Sequence, residues 1–311
     1  MKRIIYLSVF FLLLLSVVSC KKDAKVERWD DTLSSGLIRI ACDENLKTLM
    51  DAEIRVFEAH NPEATIIPIY TNEVEAIRLL TEDSVRFALT TRDLNSKERA
   101  ALKERSLEVR KSLIAFDGIA LIANRLNTDS VIGLPALKKI LTGEMTEWSQ
   151  LNPKSPLGAI RVIFDNKESG ILRYAIDSIS QGESLSSNLY ALNNHTEVIE
   201  KVIQMPNALG LIGVNVLGDT AGNIRLIRIS NEEPATVANG YLPYAGDIMQ
   251  ENYPLWRPVY ILLSDPKSGL SSGLSIFLAH EIGQKILLKS GLLPVTDPQN
   301  ISVNITDEYP K

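Results

Sequence analysis

Cysteine, histidine and aromatic side chains are scarce in this sequence, and positive charge is not in excess. The 311 residues include two cysteines, three histidines and 6% aromatic residues. Two cysteines cannot form a disulfide framework, and His60, His195 and His280 lack the spacing of metal ligands. With 33 basic against 38 acidic residues, the net charge is −5, so no long-range positive field would attract nucleic acid. We expect no metal, no cofactor and no nucleic-acid partner.

The rest of the composition is that of an ordinary folded protein. Apolar residues make up 45% of the chain and charged residues 23%, which excludes disordered and low-complexity classes. The length corresponds to two domains or to one large domain.

The N-terminus, residues 1–19, has the pattern of a secretory signal. After a short positive segment, residues 4–18 are apolar almost throughout, which is shorter than the roughly 20 residues that span a bilayer. The run ends in Ser19-Cys20. A small residue directly before a cysteine here resembles a bacterial lipobox, which implies cleavage before Cys20 and a lipid on its thiol. An ordinary signal peptide that ends near a cysteine is the alternative.

Cleavage before Cys20 would leave 31 basic against 38 acidic residues, a net charge of −7, and Cys42 as the free thiol. Residues 20–35 are polar and charged without clear periodicity, and we interpret them as a tether. The protein is then a cell-envelope lipoprotein that faces the periplasm. The sequence leaves open whether the inner or the outer membrane carries the anchor.

Strand and helix patterns alternate along the rest of the chain. Strands are predicted at 37–41, 64–70, 85–90, 112–124, 159–164, 208–216 and 258–263, and helices over 46–60, 73–82, 96–106, 135–142, 170–180, 196–204 and 271–289. Gly143 is expected to end the helix before it. This alternation predicts an α/β fold with mostly parallel sheets.

The apolar runs at 112–124 and 258–263 suggest a molecule of two lobes. Both runs are apolar on both faces, as in buried strands. We expect both to cross between the lobes, so that the chain leaves the first lobe and later returns to it. We predict a first lobe of residues 36–122 and 256–300, a second lobe of residues 123–255, and a C-terminal tail at 301–311. A ligand would bind in the cleft between hinged lobes.

Several segments, in order along residues 37–295, resemble the periplasmic phosphate-binding proteins that serve ABC transporters. The segments are Thr90-Thr91-Arg92-Asp93-Leu94 with Glu98, the strand 116–124, the stretch 134–148 with Gly143 and Trp148, the turn Ser169-Gly170, the strand 208–213, and the stretches 253–258 and 283–294. The resemblance implies the two-lobed periplasmic-binding-protein fold, with each lobe a mostly parallel sheet flanked by helices and with a hinge of crossing strands.

The same resemblance implies a small anion, phosphate above all, as the ligand, and an ABC permease as the partner of a monomeric protein. The candidate ligand-binding residues are Cys42, Asp43, Thr90, Thr91, Arg92, Ser169 and Gly170, with Lys167 as a substitute positive charge. Helix N-termini, hydroxyl groups and arginine are suitable donors to a dehydrated oxyanion. No catalytic residue is expected, because no motif places a histidine beside Ser169.

The sequence also departs from the family pattern at the expected cleft. Asp165 stands four residues before the Ser-Gly turn, where the family has its clamping arginine, and Ile171 replaces the threonine after that turn. The first loop carries Asp43 and Glu44 in place of small polar residues. These two acids either cap a helix or lie in the cleft, where carboxylates close together would repel each other.

Other residues have two interpretations. Arg92 either binds a ligand or pairs with an acid such as Asp165. Asp117, the one acid in its apolar strand, is either a hydrogen-bonded structural acid near the hinge or a cleft residue. Trp148 and Trp256 are expected to pack rather than to stack on a ligand.

The departures leave two functions open. The first is a lipid-anchored solute-binding protein of the phosphate-binding type. The alternative is a binding-protein fold that has lost its ligand and acts as an envelope scaffold, sensor or partner-binding lipoprotein, or that binds another ligand.

Overall fold

The computed structural model describes residues 31–187, 189–218 and 223–296. The predicted signal peptide, Cys20, most of the tether and the tail at 301–311 lie outside these residues. No helix in the described part is long and apolar enough to cross a membrane.

The elements follow one another in the α/β order that the sequence predicts. The first part of the chain contains β1 (Ser35–Asp43), α1 (Lys47–His60), β2 (Glu63–Thr71), α2 (Glu73–Thr81), β3 (Phe87–Thr90), α3 (Ser96–Glu104) and β4 (Arg110–Asn124). Then come β5 (Val131–Gly133), α4 (Leu134–Thr142), β6 (Arg161–Phe164), α5 (Gly170–Tyr174), β7 (Tyr190–Ala191), α6 (His195–Gln204), β8 (Ala208–Gly213), β9 (Ile224–Ser230) and α7 (Ala245–Met249). The last elements of the described part are β10 (Trp256–Leu263), α8 (Leu270–Ala279), α9 (Glu281–Lys289) and β11 (Leu293–Pro294).

Strand β4 connects two half-sheets. The strand order is β2-β1-β3-β10-β4-β8-β6-β7, and β4 pairs with β10 along its first half and with β8 along its second half. We call the β1–β3 and β10 side with its helices the first lobe, and the β5–β9 side with its helices the second lobe. The crossing strand predicted at 112–124 is therefore confirmed. The strand predicted at 258–263 does not cross, because β10 pairs with β3 and with the first half of β4. The lobe boundaries at 122 and 256 remain a prediction.

The pairing within the sheet is mixed. Strands β1, β2 and β3 are parallel, as are β6, β7 and β8. Around the centre, β10 is antiparallel to β3 and β4, and β4 is antiparallel to β8. Separate apolar clusters cover both faces of each half-sheet, which buries the parallel strands as such strands require.

Local sequence signals explain several element ends. Asn72 begins α2 by accepting the N–H of Glu75 at 2.8 Å, and Asn95 forms a capping box with Glu98 at the start of α3. Gly143 follows α4 with a φ of 86°, which confirms it as the residue that ends this helix.

Four differences from the predicted elements stand out. The helix predicted over 271–289 is two helices, α8 and α9, because His280 between them is extended with a ψ of 175°. The helix predicted over 170–180 is α-helical only to Tyr174 and continues as a π-turn. The strand predicted over 208–216 ends at Gly213 and continues as a 3₁₀ turn. The sequence analysis also missed elements, namely β5, β7, β9, β11 and α7.

The end of the predicted tether contacts the first lobe. Asp31 accepts the N–H of Leu270 at 2.7 Å, which caps the start of α8. A Cβ at Gly273 would lie 1.8 Å from the carbonyl oxygen of Leu33, so glycine lets the backbone at Leu33 lie directly on this helix.

Candidate functional site

Three loops and one strand bring polar side chains together where the two lobes meet. The loops follow β1, β3 and β6, at the C-terminal ends of parallel strands, where α/β proteins commonly bind ligands. Gly170 is a point of close contact, because a Cβ there would lie 2.6 Å from Thr91 Oγ1, 2.7 Å from Arg257 Nη1 and 3.1 Å from Asp43 Oδ2. Three predicted ligand-binding residues, Asp43, Thr91 and Gly170, therefore lie side by side, together with Arg257.

Arg257 is a fully buried cation that the sequence analysis missed. It lies on β10 directly across from Asp117 on β4, and its Nε donates to Asp117 Oδ2 at 3.0 Å. Its Nη1 donates to Thr91 Oγ1 at 3.3 Å. Asp117 also accepts from Asn215 at 3.5 Å, so it is a hydrogen-bonded acid at the crossing strand. The sequence did contain a signal for this pair: Arg257 lies at one end of the apolar strand β10, and Asp117 is the one acid in the apolar strand β4.

The predicted Thr90-Thr91-Arg92 segment bonds chiefly to neighbouring residues of the first lobe. The Thr90 hydroxyl donates to the carbonyl oxygen of Arg92 at 3.0 Å. The Arg92 guanidinium makes a two-point contact with Glu98, at 2.8 and 2.7 Å, and its Nε lies 3.4 Å from Glu73. Of the two interpretations of Arg92, the pair with an acid is the one found, with Glu98 and Glu73 as its partners.

Asp43, Asn45 and Asp165 form a buried group of oxygens. Asp43 Oδ1 accepts the backbone N–H of Asn45 at 3.0 Å, so Asp43 caps the turn that follows β1 and lies in the cleft as well. The Asn45 amide donates to Asp165 Oδ2 at 2.7 Å and thereby joins the lobes. Within the described residues, Asp43 Oδ2, Asp165 Oδ1 and Asn45 Oδ1 are buried without a hydrogen-bond partner.

The pKa of Asp43 is raised to about 7. Burial is the main cause, Glu73 and Asp165 add to it, and the nearby Arg257 guanidinium and the Asn45 hydrogen bond act against it. A buried carboxyl group with such partners holds a proton that the unfolded chain releases.

We therefore expect the folded protein to lose stability as the pH rises from about 4 to about 7. In this range the folded state holds the Asp43 proton and the unfolded state does not, so the free energy of unfolding falls with pH, by on the order of 4 kcal/mol. Above pH 7 this contribution stays constant. Asp43→Asn should remove it, as measured by urea unfolding at pH 4, 5.5, 7 and 8. Parallel pH profiles of the variant and the unchanged protein would contradict this assignment.

The other predicted residues lie around this group. Ser169 Oγ accepts the N–H of Leu172 at 3.1 Å and begins α5. Lys167 lines a pocket of about 440 Å³ at the mouth of the cleft. Cys42 lies in the apolar core of the first lobe, where its thiol donates to the carbonyl oxygen of Asp43 at 3.4 Å. Burial and the neighbouring Asp43 raise the pKa of this thiol.

A second ion pair that the sequence analysis missed crosses the cleft. Arg173 on α5 donates through Nε to Glu73 Oε2 at 2.7 Å and through Nη2 to the carbonyl oxygen of Thr91 at 3.2 Å. Asn72 donates to Glu168 at 3.0 Å beside this pair. No sequence signal pointed to Arg173, because its partner lies 100 positions away.

Trp148 and Trp256 pack against other parts of the protein, and the described residues hold no metal-type cluster. Trp148 is buried and donates to the carbonyl oxygen of Asn207 at 3.0 Å. Trp256 packs edge-on against Phe116 at 5.0 Å between ring centroids. Among the described residues, no three histidine, cysteine, aspartate or glutamate side chains are grouped so as to hold a metal ion.

These features define a two-lobed α/β binding protein with its candidate site between the lobes. The chain belongs to the PBP superfamily, because the sequence profile of the PBP superfamily domain matches residues 30–280.

Comparison with known proteins gives distant relatives. The phosphate-binding protein PstS of Bacillus subtilis is 23% identical over 270 residues, which cover 85% of this chain and 82% of that protein. The phosphate-binding protein PstS of Staphylococcus saprophyticus is 22% identical over 204 residues, which cover 65% of this chain and 62%, less than two thirds, of that protein.

The fold also matches solved structures. One is a putative phosphate ABC transporter substrate-binding protein from Clostridium perfringens, solved with bound phosphate. It has a TM-score of 0.71 at 22% identity, and the match covers 84% of this chain and 100% of that one. An ABC-type phosphate transport receptor from Vibrio cholerae has a TM-score of 0.63 at 21% identity over 83% of this chain and 100% of that one. At these identities the likeness establishes the two-lobed fold.

Proposed function

We propose that this protein is a solute-binding protein that captures a small oxyanion, phosphate above all, in the cleft and presents it to an ABC permease. In this proposal it is a monomer without enzymatic activity, attached to the membrane through a lipid on Cys20 and facing the periplasm. The names of the PstS relatives and of the Clostridium perfringens and Vibrio cholerae structures support the ligand and the transporter.

Arg257 is the observation that carries the proposal. The family that this sequence resembles has its clamping arginine where Asp165 stands here. Arg257 brings a guanidinium to the cleft from another strand, with Nη1 beside both Thr91 Oγ1 and Gly170. A guanidinium, a hydroxyl group and the N–H groups of the first turn of α5 are the donors that a dehydrated oxyanion needs.

The lobes must separate before an anion can enter. Gly170 of the second lobe is so close to Thr91 and Arg257 of the first lobe that even a methyl group there would overlap them. Phosphate is larger than a methyl group, so it cannot lie between these residues in the conformation described. Hinge motion at β4 and the residues before β10 would open the space, as in other two-lobed binding proteins.

Titration of the full-length protein with phosphate tests the proposal. We expect a saturable rise in melting temperature, because at 100 times the dissociation constant binding adds about 2.7 kcal/mol of stability. Thr91→Val should weaken phosphate binding about tenfold, since it removes one hydroxyl donor to a charged oxygen. Thr81→Val makes the same change at an exposed helix end and should leave the affinity unchanged.

A second candidate function is favoured by the acids of the cleft. The Thr91 hydroxyl donates to Glu73. The Asn45 amide donates to Asp43 and to Asp165. These donors of the cleft therefore already bind carboxyl groups of the chain itself. A protein of this fold that acts as a scaffold or sensor needs no captured solute. No response to millimolar phosphate, sulfate or other oxyanions would favour this function and would contradict the first.

A further inference from the structure

A carboxylate of the chain occupies a set of oxyanion donors in the cleft. Glu73 is the first residue of α2, and its side chain is 1% exposed. Its Oε1 accepts both the backbone N–H of Thr91, at 3.1 Å, and the Thr91 hydroxyl, at 2.5 Å. Its Oε2 accepts from Arg173 Nε at 2.7 Å. A backbone N–H, a hydroxyl and a guanidinium form the kind of donor set that binds the oxygens of a solute anion.

This carboxylate also joins the two lobes. Glu73 and Thr91 belong to the first lobe, whereas Arg173 lies on α5 of the second lobe. The bonds between Asn45 and Asp165 and between Asn72 and Glu168 cross the same cleft, but they involve no cation. Among these bonds between described residues, the Glu73–Arg173 contact is the one that is an ion pair.

The electrostatics keep Glu73 ionised in the closed cleft. Burial acts to raise the pKa of Glu73, but the Arg173 guanidinium and the hydrogen bonds from Arg173 and Thr91 outweigh it, so the pKa lies below its usual value. Arg92 Nε is also near, at 3.4 Å from Oε2. The cleft thus contains the full negative charge of Glu73 at these donors.

We propose that the Glu73 carboxylate is an internal ligand, which occupies the oxyanion subsite formed by Thr91 and Arg173 and holds the lobes closed without a bound solute. The nature of the solute that competes with it rests on the proposed function above. A solute oxyanion must displace Glu73 from these donors, so its apparent affinity is reduced by the fraction of protein that is closed on Glu73.

The distance between the lobes in the absence of solute tests this proposal. Spin labels carried by unnatural amino acids at Lys103 and Lys154, exposed positions on the two lobes, would report it by pulsed electron resonance on the full-length protein. Glu73→Gln keeps the shape of the side chain but removes its charge. Glu75→Gln is the matched control, since Glu75 lies in the same first turn of α2, is ionised beside Arg78 at 2.6 Å and bonds nothing across the cleft in the described structure.

We expect a single short distance for the unchanged protein and for Glu75→Gln, and longer, broader distances for Glu73→Gln. Arg173→Gln removes the same ion pair from the other lobe and should open the cleft as well, so it provides the test if Glu73→Gln does not fold. Long distances in the unchanged protein without solute, or short distances in both Glu73→Gln and Arg173→Gln, would overturn the proposal.

Inorganic phosphate added to Glu73→Gln separates this proposal from the proposed function. If phosphate restores the short distance, with an affinity about tenfold tighter than that of the unchanged protein, both proposals are supported. If the variant opens but no phosphate concentration closes it, Glu73 is an internal ligand and phosphate capture is wrong. If the variant stays closed and still binds phosphate with unchanged affinity, the internal ligand is wrong and phosphate capture stands.

Discussion

Arg257→Met is expected to destabilise the protein by about 3–5 kcal/mol. The substitution leaves Asp117 buried, with no exposed surface, opposite an apolar side chain. Burial already raises the pKa of Asp117, and Arg257 is the main influence that lowers it. Without Arg257 the folded protein must bury an unpaired carboxylate or protonate it, and either costs free energy. Urea unfolding at neutral pH measures the loss.

The double variant Arg257→Met/Asp117→Leu should recover most of that stability, because apolar residues can replace a whole buried ion pair at little cost. Its phosphate affinity should nevertheless fall about a hundredfold, since one of the charged donors of the cleft is gone. Lys285→Met is the control: it removes a cation from an exposed pair with Glu281 and should cost less than about 1 kcal/mol. A stable double variant that binds phosphate normally would show that Arg257 serves the fold alone.

The fold is predictable from the sequence wherever one local pattern decides it. The apolar run of β4 is long and two-sided, and a strand that crosses between half-sheets is what such a run can form. Gly143 was identifiable because a left-handed residue at the end of an amphipathic helix favours glycine. Both features depend on residues that are close together in the chain, so they can be predicted from the sequence.

The break between α8 and α9 shows where local patterns fail. The apolar period continues through His280, and no proline marks the break. The two helices instead pack closely at Gly283, where a Cβ would lie 2.5 Å from the carbonyl oxygen of Phe277. Gln284 donates to the carbonyl oxygen of Leu278 at 2.8 Å and so satisfies the end of the first helix. A glycine inside a predicted helix was the available signal.

The candidate site was predictable in its location and only partly in its chemistry. The resemblance pointed to Thr91, Gly170 and Asp43, which the structure brings together. It could not indicate Arg257, which meets Thr91 from 166 positions away. The loop 71–75, which contains Glu73, departs from the Gly- and Ser-rich loop of the family, but an acid in the first turn of a helix is common and its partners could not be predicted. Side chains that meet across a cleft are brought together by the tertiary structure. Their roles therefore produce no periodic pattern in the sequence.

Glu53→Gln is expected to stabilise the protein at pH 7 by about 3 kcal/mol. Glu53 lies on the buried stripe of α1 among Met50, Ile54 and Phe57, and neither carboxyl oxygen has a hydrogen-bond partner within the described residues. Burial alone raises its pKa to about 9. At pH 7 the folded protein therefore holds a proton that the unfolded chain has released, and this difference opposes folding.

The stabilisation by Glu53→Gln should increase with pH. Below about pH 4.5 both states of the unchanged protein carry the proton, so Glu53→Gln should have little effect there; the gain should then grow as the pH rises towards 9. Urea unfolding at pH 4.5, 7 and 8 measures it. Glu104→Gln, the same change on the exposed end of α3, should stay within about 0.5 kcal/mol of the unchanged protein at each pH.

A third variant separates the cost of charge from the cost of a buried polar group. Glu53→Met is apolar and of similar length, so it removes both costs and should stabilise the protein at pH 7 at least as much as Glu53→Gln. At pH 4.5 the gain from Glu53→Met should persist while that from Glu53→Gln vanishes. If both variants are less stable than the unchanged protein at pH 7, Glu53 is ionised in the fold and has a cationic partner, and its assignment as a protonated core residue is wrong.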